Sequence, residues 1–260
     1  MFDDAMPEFI TECVSKENLE ALVNLVKPRL RQKPIVAAKG LPTPSSVKGG
    51  HQPQILVCAK PTEKTFSRTV LSQFFGVFEL NENRKIEQSA NQILDLLYKP
   101  TWFASISSSR IYNSGFVEQL CQKIAIENNV DQANQELMRT AVHEALCNGV
   151  VHGNLELETP SMDNIDKFSA FYTKINERLQ VSKYGDRHIT FRAWTAHNGI
   201  WVSVTDEGMG YVKKQTQKEI AAESSVPNGK VYSGRGLKII SGLAKEVQIG
   251  CHGRCLAMRF

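Results

Sequence analysis

The stretch His143-Glu-Ala-Leu-Cys-Asn-Gly-Val-Val-His-Gly-Asn154 decides how this chain folds. Glu144, Asn148 and His152 recur at every fourth residue, and an α-helix advances about 3.6 residues per turn. The spacing predicts a helix that stacks these side chains as one polar stripe. Leu137, Met138, Ala141, Val142, Ala145 and Leu146 repeat at three and four and predict a core-facing stripe beside it. A carboxylate one turn from a carboxamide, next to a buried face, offers a general base beside an oxygen ligand for a hard metal. The same pattern also describes the solvated face of an ordinary amphipathic helix, so this segment alone leaves both readings open.

Downstream, Ile189-Thr-Phe-Arg-Ala-Trp-Thr-Ala-His-Asn-Gly-Ile-Trp-Val202 places Asn198-Gly199 between two runs of strand formers and predicts a hairpin. Ile200, Val202 and Val204 share a face by the two-residue period, and Asp206 continues that face where the strand ends. A carboxylate at the edge of a buried layer can accept hydrogen bonds from an amino-bearing ring. Gly208 and Gly210 follow it in Asp-Glu-Gly-Met-Gly and allow a close backbone approach. A plain strand-ending turn has the same composition.

A third segment, Tyr232-Ser-Gly-Arg-Gly-Leu-Lys-Ile-Ile-Ser-Gly-Leu-Ala244, puts glycines ahead of a helical pattern whose apolar face is Leu237, Ile240, Leu243 and Ala244. Such an entry exposes free N–H groups to an anion, and Arg235 adds a fork of donors. It is not a P-loop, because no Gly-Lys-Ser/Thr follows a strand, and its third glycine is misplaced for a dinucleotide fingerprint. A simple loop-to-helix junction is the plainer alternative.

Order and spacing of the three segments are more specific than any one of them. Together they resemble the ATP-binding domain shared by gyrase, heat-shock chaperones, histidine kinases and mismatch-repair ATPases. Within it the nearest resemblance is to the anti-sigma-factor serine kinase branch. That family carries Glu-x-x-x-Asn-[Ala/Gly]-x-x-His-Gly, matched by Glu144 to Gly153. It also carries Asp-x-Gly-x-Gly, matched by Asp206, Gly208 and Gly210, and Gly-Arg-Gly-Leu, matched by Gly234 to Leu237. The resemblance spans roughly residues 102 to 260. It includes a longer insert, with Arg178 and Tyr184-Gly-Asp-Arg187, typical of a subgroup often joined to response-regulator modules in bacteria.

The resemblance implies roles residue by residue. Glu144 would be the general base that activates the group attacking the γ-phosphate. Asn148 would ligate Mg²⁺ bridging the phosphates, with His152 in the same nucleotide-contacting set. Asp206 would accept a hydrogen bond from the adenine amino group, and Gly208 and Gly210 would shape the adenine pocket. Gly234, Arg235, Gly236 and Leu237 would close the phosphate side. The polar segment from about Lys213 to Ser233, containing Pro227-Asn-Gly229, would form the ATP lid. Two positions depart from the pattern. Gly149 stands where Ala is usual, which implies close packing or a bend, and Ala244-Lys-Glu-Val247 lacks an expected Asp. No phosphoacceptor histidine helix pair precedes the motifs, which argues against an autophosphorylating histidine kinase.

At 260 residues the chain can bury a substantial core. Its 42% hydrophobic and 22% charged residues are those of an ordinary globular protein. The net charge of +4 is too mild to argue for nucleic acid. Lys27, Arg29, Arg31 and Lys33 read as a solvated helix end. The six cysteines are scattered, and Cys251-His-Gly-Arg-Cys255 reads as a hairpin turn rather than a zinc site. There is no signal pattern, and no apolar run of about 18 residues predicts a membrane span. A cytoplasmic protein is expected.

The first hundred residues differ in texture. Asn18 to Val26 reads as a helix, Pro34 to Ala38, Gln54 to Ala59 and Phe75 to Leu80 as strands, and Ile86 to Tyr98 as a helix, with a loop from Gly40 to Pro53. This alternation predicts a small α/β module over residues 1–100, regulatory or degenerate and receiver-like, without an assigned phosphoacceptor. A boundary near Lys99-Pro100 separates it from the ATP-binding domain of residues 101–260. That domain is expected to be an α/β two-layer sandwich, a mixed sheet with helices on one face and ATP held between helices and lid.

The expected function is an ATP- and Mg²⁺-dependent serine/threonine protein kinase of the anti-sigma type. Its protein partner would be an anti-anti-sigma-like or sigma-like regulator, and homodimers are common in that family. The alternative is a non-catalytic, nucleotide-gated partner-binding module. A gyrase-like clamp ATPase is a weaker third reading, since such chains carry a further transducer domain.

Overall fold

The computed structural model describes residues 8–12, 14–32, 54–66, 74–97, 102–158, 165–210 and 235–260. In it, eight strands form one sheet: β1 (Glu8–Glu12), β2 (Gln54–Cys58), β3 (Phe74–Glu79), β4 (Trp102–Ser107), β5 (His188–Ala196), β6 (Gly199–Thr205), β7 (Glu246–Gly250) and β8 (Cys255–Arg259). Their order across the sheet is β1-β2-β3-β4-β5-β6-β8-β7. The first four strands pair in parallel, and every pairing from β4 onward is antiparallel. The fold is thus a mixed α/β sandwich, as the alternation of elements predicts.

Alternation along the strands sorts two cores onto opposite faces. Val77, Ala104, Ile106, Ile189, Phe191, Val202 and Val204 face helices α3 (Phe116–Asn128), α4 (Gln132–Asn148) and α6 (Arg235–Leu243). Helix α5 (Ile165–Leu179) adds Ile175 and Leu179 to the same core. The neighbouring strand residues Val57, Phe78 and Phe103 turn the other way. They meet Leu22 and Val26 of α1 (Lys16–Gln32) and the apolar face of α2 (Ile86–Leu97). Over β4 to β8 the motif-bearing helices lie on one face, as expected, while the N-terminal helices cover the reverse face of the parallel strands.

The helices of the first hundred residues lie where their periodicity put them. β1 is an addition that sequence reading did not find. The expected strand at residues 34–38, the loop at 40–53 and the boundary at 99–100 lie outside the described residues. The expected hairpin forms with its turn one residue earlier than Asn198-Gly199: Ala196 pairs with Gly199, leaving His197 and Asn198 at the tip. Gly199 adopts φ +139°, and a side chain there would strike the Phe260 carbonyl, so its glycine serves strand closure. Among the described residues, no helix is long and apolar enough to cross a membrane.

Candidate functional site

α4 begins at Asp131, whose side chain accepts a hydrogen bond from the Asn134 backbone N–H at 3.0 Å. Met138, Ala141, Val142, Ala145 and Leu146 are buried against the sheet. Leu137 is not: it is 41% exposed, contrary to the core stripe expected for it. Leu137 lies seven residues before Glu144, which puts it on the outward line of the helix that carries the carboxylate.

The helix changes pitch at Gly149. Residues Gly149–Asn154 form a π-helical turn, closed by Leu155 N–H donating to the Val150 carbonyl at 2.8 Å. A Cβ on Gly149 would lie 3.3 Å from Ile189 Cδ1 and 3.7 Å from Asp206 Cβ. The glycine therefore gives both outcomes expected of it, close packing and a change of helix course. On this turn His152 holds its Nδ1 at 2.7 Å from the Leu157 carbonyl, which ties the ring to the exit of the turn.

β6 delivers Asp206 to the same place. Val202 and Val204 are buried, Ile200 packs against the same core, and Asp206, 7% exposed, follows at the strand end. Its own N–H donates to the Arg254 carbonyl at 3.0 Å, and Gly208 N–H donates to its Oδ1 at 2.8 Å. Burial pushes its carboxyl up to about 6, against the opposing pull of the Gly208 N–H and the Arg254 charge. A Cβ on Gly153 would overlap the Asp206 carboxyl group, and one on Gly208 would overlap the Gly153 carbonyl. Gly210, at φ +77°, rests against the His252 carbonyl of the β7–β8 turn.

The third segment closes the other end. α6 enters with Gly236 so near α4 that a Cβ would lie 2.7 Å from Asn148 Nδ2 and would clash with Glu144 Oε1. Leu237 and Ile240 are buried in the main core, so Leu237 seats this helix. The first N–H groups of α6 have no partner within the helix and are carried beside Glu144 and Asn148. Asn148 Nδ2 is buried and has no hydrogen-bond partner among the described residues. Gly234, the side chain of Arg235 and the expected lid at residues 213–233 lie outside the described residues.

All three segments therefore meet along α4 and its π turn. Gly236 adjoins Glu144 and Asn148; Asp206 and Gly208 adjoin Gly149 and Gly153. Glu144 and Gly153 lie nine positions apart, so the site runs along the last turns of α4 and into the π turn. Among the described residues, no group of three or more His, Cys, Asp or Glu side chains is placed to hold a metal ion. Asn148 Oδ1 is the oxygen of this set that could hold a hard divalent cation, and Gly236 approaches it without a side chain. Cys251 and Cys255 flank the β7–β8 turn, as expected of a hairpin.

Asn154, the residue after the His152-Gly153 pair, has no role in the three motifs. It is fully buried; Nδ2 donates to Ser108 Oγ at 2.8 Å and to the His188 carbonyl at 3.0 Å. Its Oδ1 accepts from Glu207 N–H at 2.7 Å, fixing the chain just past Asp206. Arg187 of the insert donates to the Asn154 carbonyl and to Glu156, both at 2.7 Å. The sequence signal was there, a polar residue after a glycine at a helix end, but its partners are 46 and 34 residues distant.

A family model described as histidine kinase-like ATPase domain matches residues 116–260. No curated protein matches the chain.

Proposed function

Because the chain belongs to the histidine kinase-like ATPase domain family through residues 116–260, we propose that it binds ATP with Mg²⁺ and transfers the γ-phosphate to a serine or threonine of a partner protein. The partner is a regulator of the sigma or anti-anti-sigma kind, and the protein acts in the cytoplasm. Residues 1–100 form the regulatory module and residues 101–260 the catalytic one. The observation that carries this reading is Asn148, a half-buried residue whose Nδ2 is buried with no hydrogen-bond partner among the described residues, beside the entry of α6 at Gly236.

Asp206 accepts the adenine amino hydrogen. It is ionised at neutral pH because its raised value of about 6 still lies below 7. Gly153 and Gly208 keep side chains out of the space beside that carboxylate. Asn148 would hold Mg²⁺, which neutralises the charge on the phosphates when bound. Gly236, with Gly234 and Arg235 before it in the motif, would close the phosphate side, and backbone N–H groups at the start of α6 favour the negative charge. His152 borders the nucleotide and is held in place by the Leu157 carbonyl. The Glu144 carboxylate orients the acceptor hydroxyl and takes up its proton as the phosphoryl group moves. Catalysis on this account is mostly positioning.

A second reading keeps nucleotide binding without transfer, so that ATP gates which partner is held. It is favoured by the bonds that join the N-terminal module to the residue after Asp206. Radiolabelled ATP offered with candidate partner proteins separates the two. Label on a partner hydroxyl supports transfer, and nucleotide-dependent partner binding without label supports gating.

A further inference from the structure

Glu207 lies next to Asp206 but faces away from the proposed nucleotide, toward α2. Its Oε1 accepts from Arg84 Nη2 at 2.9 Å and from Gln92 Nε2 at 3.4 Å, and its Oε2 accepts from His188 N–H at 2.8 Å. Arg84 and Gln92 come from the N-terminal region, more than a hundred residues earlier. A neighbouring bond from Asn83 Nδ2 to Asp186 Oδ2, 2.9 Å long, ties the same turn to the insert. The chain carrying Asp206 is thereby gripped on both sides, by Asn154 at the Glu207 N–H and by the N-terminal module at the Glu207 carboxylate.

The junction is polar at a cost. Arg84 Nη1, Gln92 Oε1 and His188 Nε2 are buried around it without hydrogen-bond partners among the described residues. Apolar packing of the same volume often stabilises such a contact as well as or better than an ion pair does. Retaining an ion pair and unpaired polar atoms there favours a contact that fixes position over one that only adds stability. Glu207 follows Asp206 directly, so a backbone shift at Glu207 is passed to Asp206 through the peptide that joins them.

We propose that Arg84 and Gln92 are positioning residues for adenine recognition: through Glu207, the N-terminal module sets the placement of the Asp206 carboxylate. The proposal rests on Asp206 being the adenine acceptor. It implies that a signal or partner acting on the N-terminal module changes base recognition before it changes anything at the phosphates.

The experiment measures affinity for ATP and for inosine triphosphate in the full-length wild type and in Arg84→Met and Gln92→Leu. Inosine carries a carbonyl oxygen where adenine carries the amino group, so it cannot donate to Asp206 from that position, and its oxygen opposes the carboxylate there. Wild type is expected to prefer ATP by about tenfold or more. Arg84→Met is expected to lower that preference about tenfold, and Gln92→Leu about threefold, with inosine triphosphate affinity nearly unchanged. Variants that keep the wild-type ratio overturn the proposal, including those in which both affinities fall together. If Arg84→Met does not fold, Gln92→Leu, which spares the ion pair, decides. A wild type with no preference for ATP instead overturns the role of Asp206 itself.

Discussion

Gly153 packs against the carboxyl group of Asp206 so closely that a Cβ on the glycine would lie 2.6 Å from Asp206 Oδ1. The contact joins the π turn that ends the first motif to the strand end that carries the second. Any side chain added at Gly153 has to displace Asp206.

Gly153→Ala is therefore expected to displace Asp206 and to weaken ATP binding by about tenfold or more, since overpacking costs about 1–3 kcal/mol. Gly149→Ala is the informative contrast. Its nearest neighbour is Cδ1 of the buried Ile189 at 3.3 Å, a side-chain end that needs to give by only a few tenths of an ångström, and Ala is about 1 kcal/mol better than Gly within a helix. It is expected to retain ATP affinity. Titrations of the two variants side by side test this; equal losses would contradict the geometry.

Asp206 sets a trade between stability and recognition. Its carboxyl is raised to about 6 by burial, so the folded chain holds this proton more tightly than the unfolded chain does. Its contribution to stability is full below the ordinary aspartate range and is lost as pH rises through about 6. Asp206→Asn removes the cost of ionisation and is expected to raise the stability at pH 8 by on the order of 2 kcal/mol, with little gain at pH 4. The same variant is expected to lose its preference for adenine. In wild type, ATP affinity is expected to fall as pH drops below about 6 and the acceptor becomes protonated. Thermal unfolding and nucleotide titration across pH check both halves.

Asn148→Ala is expected to weaken ATP binding at least about tenfold in the presence of Mg²⁺ and to change it little in a chelator. Unchanged Mg²⁺-dependent affinity would remove Asn148 from its assigned role.

Glu144→Gln is expected to bind ATP as wild type does and to lose phosphoryl transfer by about 10²–10⁴-fold. Steady-state transfer to an identified acceptor measures it. An unimpaired variant would exclude Glu144 as the base.

Local spacing made much of this arrangement legible. The fourfold step from Glu144 to Asn148 gave the helix, and the alternation of Ile200, Val202 and Val204 gave the strand that ends at Asp206. Both are properties of a few consecutive residues. Gly149 was visible as an anomaly, but the π turn it opens depends on contacts with β5 and β6 that no local pattern encodes. Leu137 was misplaced because apolar character alone does not distinguish the edge of a helical stripe from its centre. The junction of Glu207 with Arg84 and Gln92 was invisible because its partners lie 123 and 115 residues apart in sequence and meet once the parallel pairing of β3 with β4 brings the two halves of the chain into one sheet.

The central claim is that the segments around Glu144, Asp206 and Gly236 hold a single adenosine polyphosphate between them. Isothermal titration of the full-length protein with ATP, with Mg²⁺ and again with chelator, tests it without needing the partner. The account predicts saturable binding at one site per chain, tighter when Mg²⁺ is present and displaced by ADP. No saturable heat under either condition would contradict it.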